Sequence, residues 1–421
     1  MKKAALHNLG CKVNAYEAEA MQQQLKEHGY EIVPFDEKAD VYIINTCSVT
    51  NVADRKSRQM LHRAKKLNPE SVVVAAGCYV QVAADTLKED ACVDVIIGNN
   101  KKGQLARILD EYMEGRLKEE EGPESGIHVL DIGGTDEYEP LYVDNITDHT
   151  RAFIKVQDGC NQFCSYCIIP YARGRVRSRK AEDVLGEVRR LAEHGYREVV
   201  LTGIHLSSYG ADTGDSLLHL IELVHEVEGM KRIRLGSLEP RIVTEDFVKR
   251  LSRLEKICPH FHLSLQSGCD TVLARMNRRY DTAEYEAGCQ MLRKYFSHPA
   301  ITTDVIVGFP GETEEEFQIT KEYLERIHFY EMHIFKYSRR EGTKAAAMKN
   351  QVPEPEKTRR SAILLDLEKK MSEEFRNAYL GETVTALLEE KMEFEGKTYF
   401  TGYTKEYVKV AFEAGSDLTN Q

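Results

Sequence analysis

The sequence predicts an α/β protein with an N-terminal open α/β domain of the Rossmann-like kind, a central incomplete (β/α)6 barrel and a small C-terminal β-barrel. Two observations carry this prediction. Short apolar, β-branched runs alternate with helical segments between residues 4 and 338, a pattern that favours parallel sheets covered by helices. After Gly381 the helices stop and short strands follow one another. A chain of 421 residues has room for two or three such domains.

The first domain is expected over residues 1–105. Its candidate strands are short and apolar: AALHNLG, VYIINT and SVVVAAG. Helices are expected between them, over 15–28 and 53–67. Parallel strands covered by helices on both faces have this near-continuous apolar composition. Residues 106–145 are expected to form a linker, because a helix there is followed by the acidic, glycine-containing stretch EEEGPESGIHVLDIGG.

The barrel is expected over residues 146–375, where six candidate strands alternate with longer helices. The strands are AFIKVQ, EVVLTGI, RIRLGSL, HFHLSLQ, TTDVIVGF and EMHIFKYS. In barrels of βα units the functional groups lie at the carboxyl ends of the strands. A helix over 356–379 leads into the β module at 376–421. Because the sequence ends before enough strands have appeared to close a barrel, we expect this module to be truncated.

Three cysteines follow the first barrel strand with the spacing C-x3-C-x2-C: Cys160, Cys164 and Cys167. Thiolates on a short loop are typical ligands of an iron–sulfur cluster or of zinc. A closed structural site normally has four protein ligands, and no fourth cysteine follows within ninety residues. The loop therefore predicts a metal site with one open position. The alternative is a zinc site with a distant fourth ligand.

A second trio of cysteines occupies equivalent places in the first domain. Each follows one of the three candidate strands: Cys11, Cys47 and Cys78. Ligand sites of open α/β sheets gather beyond the carboxyl ends of the strands, so we expect these side chains to meet at one rim and to form a second three-thiolate site. The alternative is that they are small buried apolar residues, as free cysteines often are.

Composition and charge restrict the class of protein. No apolar run reaches the ~18 residues that a membrane helix needs, and no signal peptide is evident, so we expect a cytoplasmic protein with reduced cysteines and no membrane partner. The net charge of −11 disfavours nucleic acid, but the charge is uneven. Residues 55–66 contain six basic residues and no acid, and residues 151–180 contain seven basic residues against one acid. Such patches attract phosphates, or are simply solvated surface.

These features resemble a known family. The run VQDGCNQFCSYCIIPYARGR is similar to the cluster loop of radical S-adenosylmethionine (SAM) enzymes, and the three parts in this order resemble the methylthiotransferases, whose third part is the RNA-binding TRAM module. The resemblance implies two 4Fe–4S clusters, one on each cysteine trio. It also implies two SAM molecules: one supplies a methyl group, and the other is cleaved to a 5′-deoxyadenosyl radical. An electron donor protein and a sulfur donor are implied as well.

The resemblance extends to the SAM-binding segments. Thr202 and Gly203 stand at the end of the second barrel strand, Glu239 at the end of the third, and Ser264 and Gln266 on the fourth. In the family these positions contact SAM, and the run DVIVGFPGET resembles the strand and turn beside its adenine. Without the family resemblance, each of these residues would be interpreted as a turn residue or a surface residue.

The substrate branch is indicated by two segments. LGCKVNAYEAE and YARGRVRSR are similar to the branch that methylthiolates C2 of N6-threonylcarbamoyladenosine at position 37 of tRNA. The partner would then be the tRNA anticodon stem-loop. Two other branches stay open as alternatives, one acting on N6-isopentenyladenosine in tRNA and one on an aspartate of a ribosomal protein. A non-catalytic iron–sulfur protein that binds RNA or senses redox state is the alternative from another class.

Four arginines alternate after the cluster loop: Arg173, Arg175, Arg177 and Arg179. On an extended segment they would share one face. Guanidinium groups there would suit phosphates or the carboxylate of the threonylcarbamoyl group. The alternative is that they pair with the backbone or with acids of the barrel itself.

Overall fold

The computed structural model describes residues 2–115, 126–144 and 150–421. Part of the predicted linker, 116–125 and 145, and the first residues of the predicted barrel, 146–149, lie outside the described residues. The described chain has an α/β sheet, a half-barrel and a small antiparallel sheet in that order. This confirms the predicted fold class.

The first sheet is parallel throughout, with the strand order β2-β1-β3-β4-β5-β6. Its strands are β1 (Lys3–Asn8), β2 (Glu31–Ile32), β3 (Val41–Thr46), β4 (Val72–Gly77), β5 (Val95–Ile97) and β6 (Ile127–His128). Its helices are α1 (Lys12–Glu27), α2 (Asn51–Leu67), α3 (Cys78–Lys88) and α4 (Leu105–Met113). Two apolar clusters cover its two faces. Because α4 packs into one cluster and β6 pairs with β5, this sheet reaches beyond residue 105 into the expected linker.

The half-barrel contains six parallel strands in the described residues, as the sequence predicts: β7 (Arg151–Asp158), β9 (Glu198–Gly203), β10 (Arg232–Leu235), β11 (His260–His262), β12 (Ala300–Val307) and β13 (Glu331–Lys336). The short antiparallel β8 (Arg177–Ser178) adds to the open edge of β7. Two isolated parallel bridges, Ile233 with Ile257 and Leu238 with Leu263, connect the β10 side to the β11 side. One large apolar core lies between the strands and the helices around them.

The helices of the half-barrel follow the strands in turn: α5 (Ile169–Arg173), α6 (Ala181–Glu193), α7 (Leu217–His225), α8 (Glu245–Leu251), α9 (Asp270–Arg275), α10 (Thr282–Tyr295) and α11 (Glu314–Ile327). Two strands are shorter than expected. β10 ends at Leu235, so Glu239 lies beyond the strand and not at its end. β11 ends at His262, so Ser264 and Gln266 also lie beyond it. The backbone of Gln266 has a φ of +75°, a left-handed conformation that a regular strand does not accommodate.

The C-terminal part consists of α12 (Glu354–Asn377) and an antiparallel sheet of β14 (Ala386–Phe394), β15 (Lys397–Thr404) and β16 (Lys409–Glu413). The antiparallel sheet docks on the half-barrel through arginines of the half-barrel strands. Arg232 donates to the carbonyl of Tyr403 at 2.8 Å, and Arg151 pairs with Glu389 at 2.6 Å. No described helix, α12 included, combines the length and apolar character needed to cross a membrane.

Candidate active site

The first cysteine trio lies in the loop between β7 and α5: Cys160, Cys164 and Cys167. Gly159 opens this loop with a φ of +73°. A Cβ at this position would stand 1.7 Å from the carbonyl oxygen of Arg175, so only glycine fits. The amide of Cys160 donates to the carbonyl of Gly174 at 3.0 Å. The loop is therefore closed against the chain that follows it, which fixes where the thiols point.

A buried cation faces the first trio. The guanidinium of Arg278 donates to the Sγ of Cys164 at 3.3 Å and to the carbonyl of Ser264 at 3.2 Å. Burial raises the pKa of Cys160 to about 11 and that of Cys167 to about 12. Without metal these thiols hold their protons, so cluster binding has to displace them and becomes pH-dependent. Three soft ligands beside a positive charge suit an anionic iron–sulfur cluster.

The second trio gathers at the carboxyl ends of neighbouring strands β1, β3 and β4. Cys11 is the N-cap of α1, Cys47 directly follows β3, and Cys78 is the first residue of α3. Gly10 has a φ of +111°, and a Cβ there would lie 3.1 Å from the Sγ of Cys47. The pKa of Cys47 is raised to about 11, chiefly by desolvation; the nearby Cys78 and Cys11 act in the same direction, and Arg173 acts against them. The structure thus brings the three thiols to one rim of the sheet.

The short helix α5 connects the two trios. It begins two residues after Cys167, and its last residue, Arg173, donates from Nε to the Sγ of Cys78 at 3.1 Å. Asn99 holds the same end of α5 from the other side, because its Nδ2 donates to the carbonyl of Ala172 at 2.7 Å and lies 3.6 Å from the Sγ of Cys78. The helix that follows the first trio therefore ends in contact with the second trio, across the interface between sheet and half-barrel.

The expected SAM-binding residues on β9 lie beside the cluster loop. Thr202 is buried at the end of β9, and Gly203 packs so closely on Gln157 that a Cβ would meet its Oε1 at 2.8 Å. Gln157 donates to the carbonyl of Gly159 at 2.7 Å and accepts from the amide of His205 at 2.7 Å. This glutamine therefore ties the cluster loop to the loop after β9.

The other expected SAM residues surround Arg278, a residue that sequence reasoning did not identify. Within the described chain, the Oε1 of Glu239 and the Nε2 of His205 are buried without a hydrogen-bond partner. Burial raises the pKa of Glu239, while Arg278 acts in the opposite direction. Buried polar atoms are almost always paired, so two orphans beside the first trio fit a bound polar ligand such as SAM. The segment that contains Ser264 and Gln266 accepts hydrogen bonds at its carbonyls from the guanidinium of Arg278 and from the hydroxyl of Tyr280.

The alternating arginines do not share one face. Arg173, Arg177 and Arg179 are buried, and only Arg175 is exposed, with its guanidinium 4.8 Å from the ring centre of Phe163. The reason is that α5 breaks the extended run at Arg173, and the rest of the run enters the half-barrel. Arg177 and Arg179 pair with acids of the half-barrel, Asp158 and Glu187, which is the alternative that the sequence left open. Arg173 instead pairs with Glu17 on α1 of the first domain.

Two acids of this buried network, Glu17 and Asp158, have lowered pKa values, whereas burial raises the pKa of Glu187. Burial alone would raise the pKa of Asp158, but Lys155, Arg173 and Arg177 outweigh it and lower the pKa to about 2. Burial also acts to raise the pKa of Glu17, but the positive charges around this carboxylate outweigh it and hold the pKa well below the usual range. The network therefore joins the sheet to the half-barrel by true ion pairs.

Comparison with known proteins decides the family. The model described as "Uncharacterized protein family UPF0004" matches residues 3–98, and that of the radical SAM superfamily matches residues 154–324. The "Threonylcarbamoyladenosine tRNA methylthiotransferase MtaB" of Bacillus subtilis (strain 168) is 43% identical over 99% of this chain and 92% of its own length. The chain belongs to the radical SAM methylthiotransferase family. It is thus an enzyme whose family uses SAM and a 4Fe–4S cluster.

Further relatives of this methylthiotransferase carry two kinds of name. The MtaB of Aquifex aeolicus (strain VF5) is 42% identical, with 92% of this chain and 93% of the relative covered. The "tRNA-2-methylthio-N(6)-dimethylallyladenosine synthase" of Acetivibrio thermocellus is 35% identical, with 99% and 86% covered. Among solved structures, the radical SAM methyltransferase TsrM from Kitasatospora setae has a TM-score of 0.61 at 14% identity, with 80% of this chain and 72% of TsrM covered. That likeness concerns the fold alone.

Proposed function

We propose that this methylthiotransferase adds a methylthio group to C2 of N6-threonylcarbamoyladenosine at position 37 of tRNA, using two 4Fe–4S clusters and two SAM molecules. The observation that carries the proposal is the contact between Arg173, at the end of the first cluster loop's helix, and Cys78 of the second trio. This contact supports the proposal because it links the helix after the first trio to a thiol of the second trio. The relatives support this substrate: two named for threonylcarbamoyladenosine are 43% and 42% identical, whereas others of that name are 36% identical and those named for dimethylallyladenosine are 35% or 36% identical.

The chemistry explains why two such sites are needed. An aromatic C–H has neither an acidic proton nor a leaving group, so acid–base and nucleophilic catalysis cannot replace the hydrogen with sulfur. When bound to the two trios, the clusters would supply the electron that cleaves SAM and the site that carries sulfur. The protein's own part is to hold, orient and shield. Gln157 braces the cluster loop, and Arg278 positions Cys164.

SAM would bind between the first trio and the loops after β9, β10 and β11. We assign contacts to Thr202, Gly203, Glu239, Ser264 and Gln266. Glu239 is the best supported of these, because its buried Oε1 has no partner within the described residues and an ammonium or hydroxyl donor of the ligand would satisfy it. Gly203 allows the close approach of Gln157, the residue that holds the cluster loop beside the end of β9.

The exposed face of α2 is our candidate for phosphate binding. Five of its six basic residues are exposed: Arg55, Lys56, Arg58, Arg63 and Lys66. The helix begins four residues after Cys47, and its first turn is fixed to the half-barrel by an ion pair between Asp54 and Arg340. Arg55 and Lys56 have no carboxylate partner within the described residues. A helix with free cations that starts at the second trio suits an anticodon stem whose base reaches the cavity.

The double variant Arg55→Ala/Lys56→Ala is expected to weaken binding of unmodified tRNA. Two lost phosphate contacts should reduce the slope of log affinity against log salt by about two. Binding titrations at several salt concentrations measure this slope. The matched control is Lys249→Ala/Arg253→Ala, which removes two exposed cations on and after the outer helix α8. An unchanged slope in the α2 variant would remove α2 from the interface.

The proposed reaction needs further partners: an electron donor protein and a sulfur donor besides tRNA. We also assign RNA binding to the module over 376–421, in the manner of a TRAM module. We retain the domain divisions at 145 and 375, and we extend the first domain beyond residue 105 to include α4 and β6. A tRNA substrate and reduced cysteines both favour the cytoplasm.

Mass spectrometry of tRNA nucleosides tests the function. A deletion strain should lose 2-methylthio-N6-threonylcarbamoyladenosine and accumulate the unmodified nucleoside, and the intact gene should reverse this. Complementation with Cys164→Ala should fail. Loss of the 2-methylthio form of N6-isopentenyladenosine instead would assign the chain to that alternative branch, and unchanged tRNA nucleosides would favour the ribosomal-protein branch.

A further inference from the structure

We propose that Arg173 is a positioning residue that tunes the reduction potential of the second cluster: it donates a hydrogen bond to Cys78 and places buried positive charge beside the cluster. The inference rests on the second cluster of the proposed function. Its consequence is that the helix after the first cluster loop controls the electronic state of the other site.

The guanidinium of Arg173 is completely fixed. Its side chain is fully buried, and its Nε donates to the Sγ of Cys78 at 3.1 Å. On the other side, Nη2 donates to Glu17 at 3.0 Å and to Asn14, and Nη1 lies against Glu17 and at 3.4 Å from Asp158. A planar fork held at all three nitrogens cannot turn away from the sulfur. The contact with Cys78 is therefore built into the fold.

The network around Arg173 has more positive than negative groups. Within the described residues, four buried cations pair with two carboxylates, those of Glu17 and Asp158; the cations are Arg173, Arg177, Lys102 and Lys155. Counting the nearby carboxyl of Glu139, which accepts from the amide of Gly103 at 2.7 Å, still leaves the cations in excess. Buried charge without compensation is costly, so such an excess calls for an anion. An oxidised cubane core held by three thiolates has a net negative charge and touches the network through Cys78.

Two general effects give the direction of the tuning. Hydrogen bonds to the sulfurs and nearby charge set the potentials of iron–sulfur clusters. Reduction makes the cluster more negative, so a donor and a cation stabilise the reduced form more than the oxidised form. Arg173 therefore raises the potential. An arginine that only clamped the sheet to the half-barrel would leave the potential where it is.

The test uses the full-length chain with the first site emptied by Cys160→Ala/Cys164→Ala/Cys167→Ala, so that the paramagnetic resonance signal comes from the second cluster alone. In this background Arg173→Met should lower the ratio of reduced to oxidised cluster about tenfold at a fixed potential, a shift of about −59 mV for one electron. Arg173→Lys, which retains the charge, should shift it less.

Two further variants separate tuning from loss of structure. Arg179→Met removes an equally buried arginine whose partners, Glu187 and Tyr16, do not touch the cysteines, and it should leave the potential unchanged. Glu17→Gln removes a negative charge while keeping a polar side chain, so it should shift the potential upward. This upward shift of the potential can be measured even if Arg173→Met fails to hold a cluster.

The outcomes distinguish this inference from the proposed function. A wild-type protein that binds only the first cluster would overturn the proposed function. A second cluster that is present but has the same potential in the wild type, Arg173→Met and Glu17→Gln would overturn the inference alone.

Discussion

The Cys164→Ala variant is expected to form no 5′-deoxyadenosine from SAM above the level of protein without iron. Only three thiolates are available in the first loop, so the loss of one leaves too few to hold a cluster. The same change removes the acceptor that positions Arg278, which donates to the Sγ of Cys164 at 3.3 Å. Chromatography of the reaction after anaerobic reconstitution and reduction measures the product.

A matched control for Cys164→Ala is Cys289→Ala. Cys289 is a buried cysteine of α10 inside the apolar core, away from both trios. Its loss should cost about 1 kcal/mol of stability from the small cavity and should leave SAM cleavage intact. Substantial cleavage by Cys164→Ala would show that another group completes the first site, and the assignment of the loop would fail.

The Cys47→Ala variant is expected to lose methylthiolation while retaining SAM cleavage. Cys47 belongs to the second trio, whose cluster would carry the sulfur, whereas the first loop is closed on itself through Cys160 and Gly174. Cleavage by the first cluster therefore does not depend on Cys47. Assays of 5′-deoxyadenosine and of methylthiolated tRNA on the same reconstituted sample separate the two activities.

Cys92→Ser is the control for this second prediction, because Cys92 lies in the same sheet domain but before β5, away from the rim. It should behave as the wild type in both assays. Full methylthio product from Cys47→Ala would contradict the second site. Loss of both activities in Cys47→Ala, with the first cluster still present, would mean that the two sites are not separable in function.

The sequence indicates the positions of both trios but not their connection. Cysteines after parallel strands can be expected at one rim, because the strand ends share an edge. The contact between Arg173 and Cys78 could not be expected, since it depends on how the half-barrel packs on the sheet. The prediction that the alternating arginines share one face is wrong, because Pro170 at the start of α5 favours a helical turn that places Arg173 at a helix end.

The positions of the SAM-binding segments could also be predicted from the sequence only in part. The placement of Thr202 and Gly203 at the end of β9 follows from the βα pattern of the sequence. The irregular backbone path after β11 could not be predicted in this way, because Gln266 adopts a left-handed conformation although it is not a glycine. Arg278 has no spacing signal that marks it as a cluster neighbour. Its position becomes evident only from the folded loop after α9.

Iron and sulfide analysis of the wild-type protein after anaerobic reconstitution tests the central claim most directly. Two three-cysteine sites should bind about eight irons per chain, with the paramagnetic signals of two cubane clusters. Cys47→Ala and Cys164→Ala should each bind about half of that amount. About four irons in the wild type, unchanged in Cys47→Ala, would contradict the presence of a second cluster.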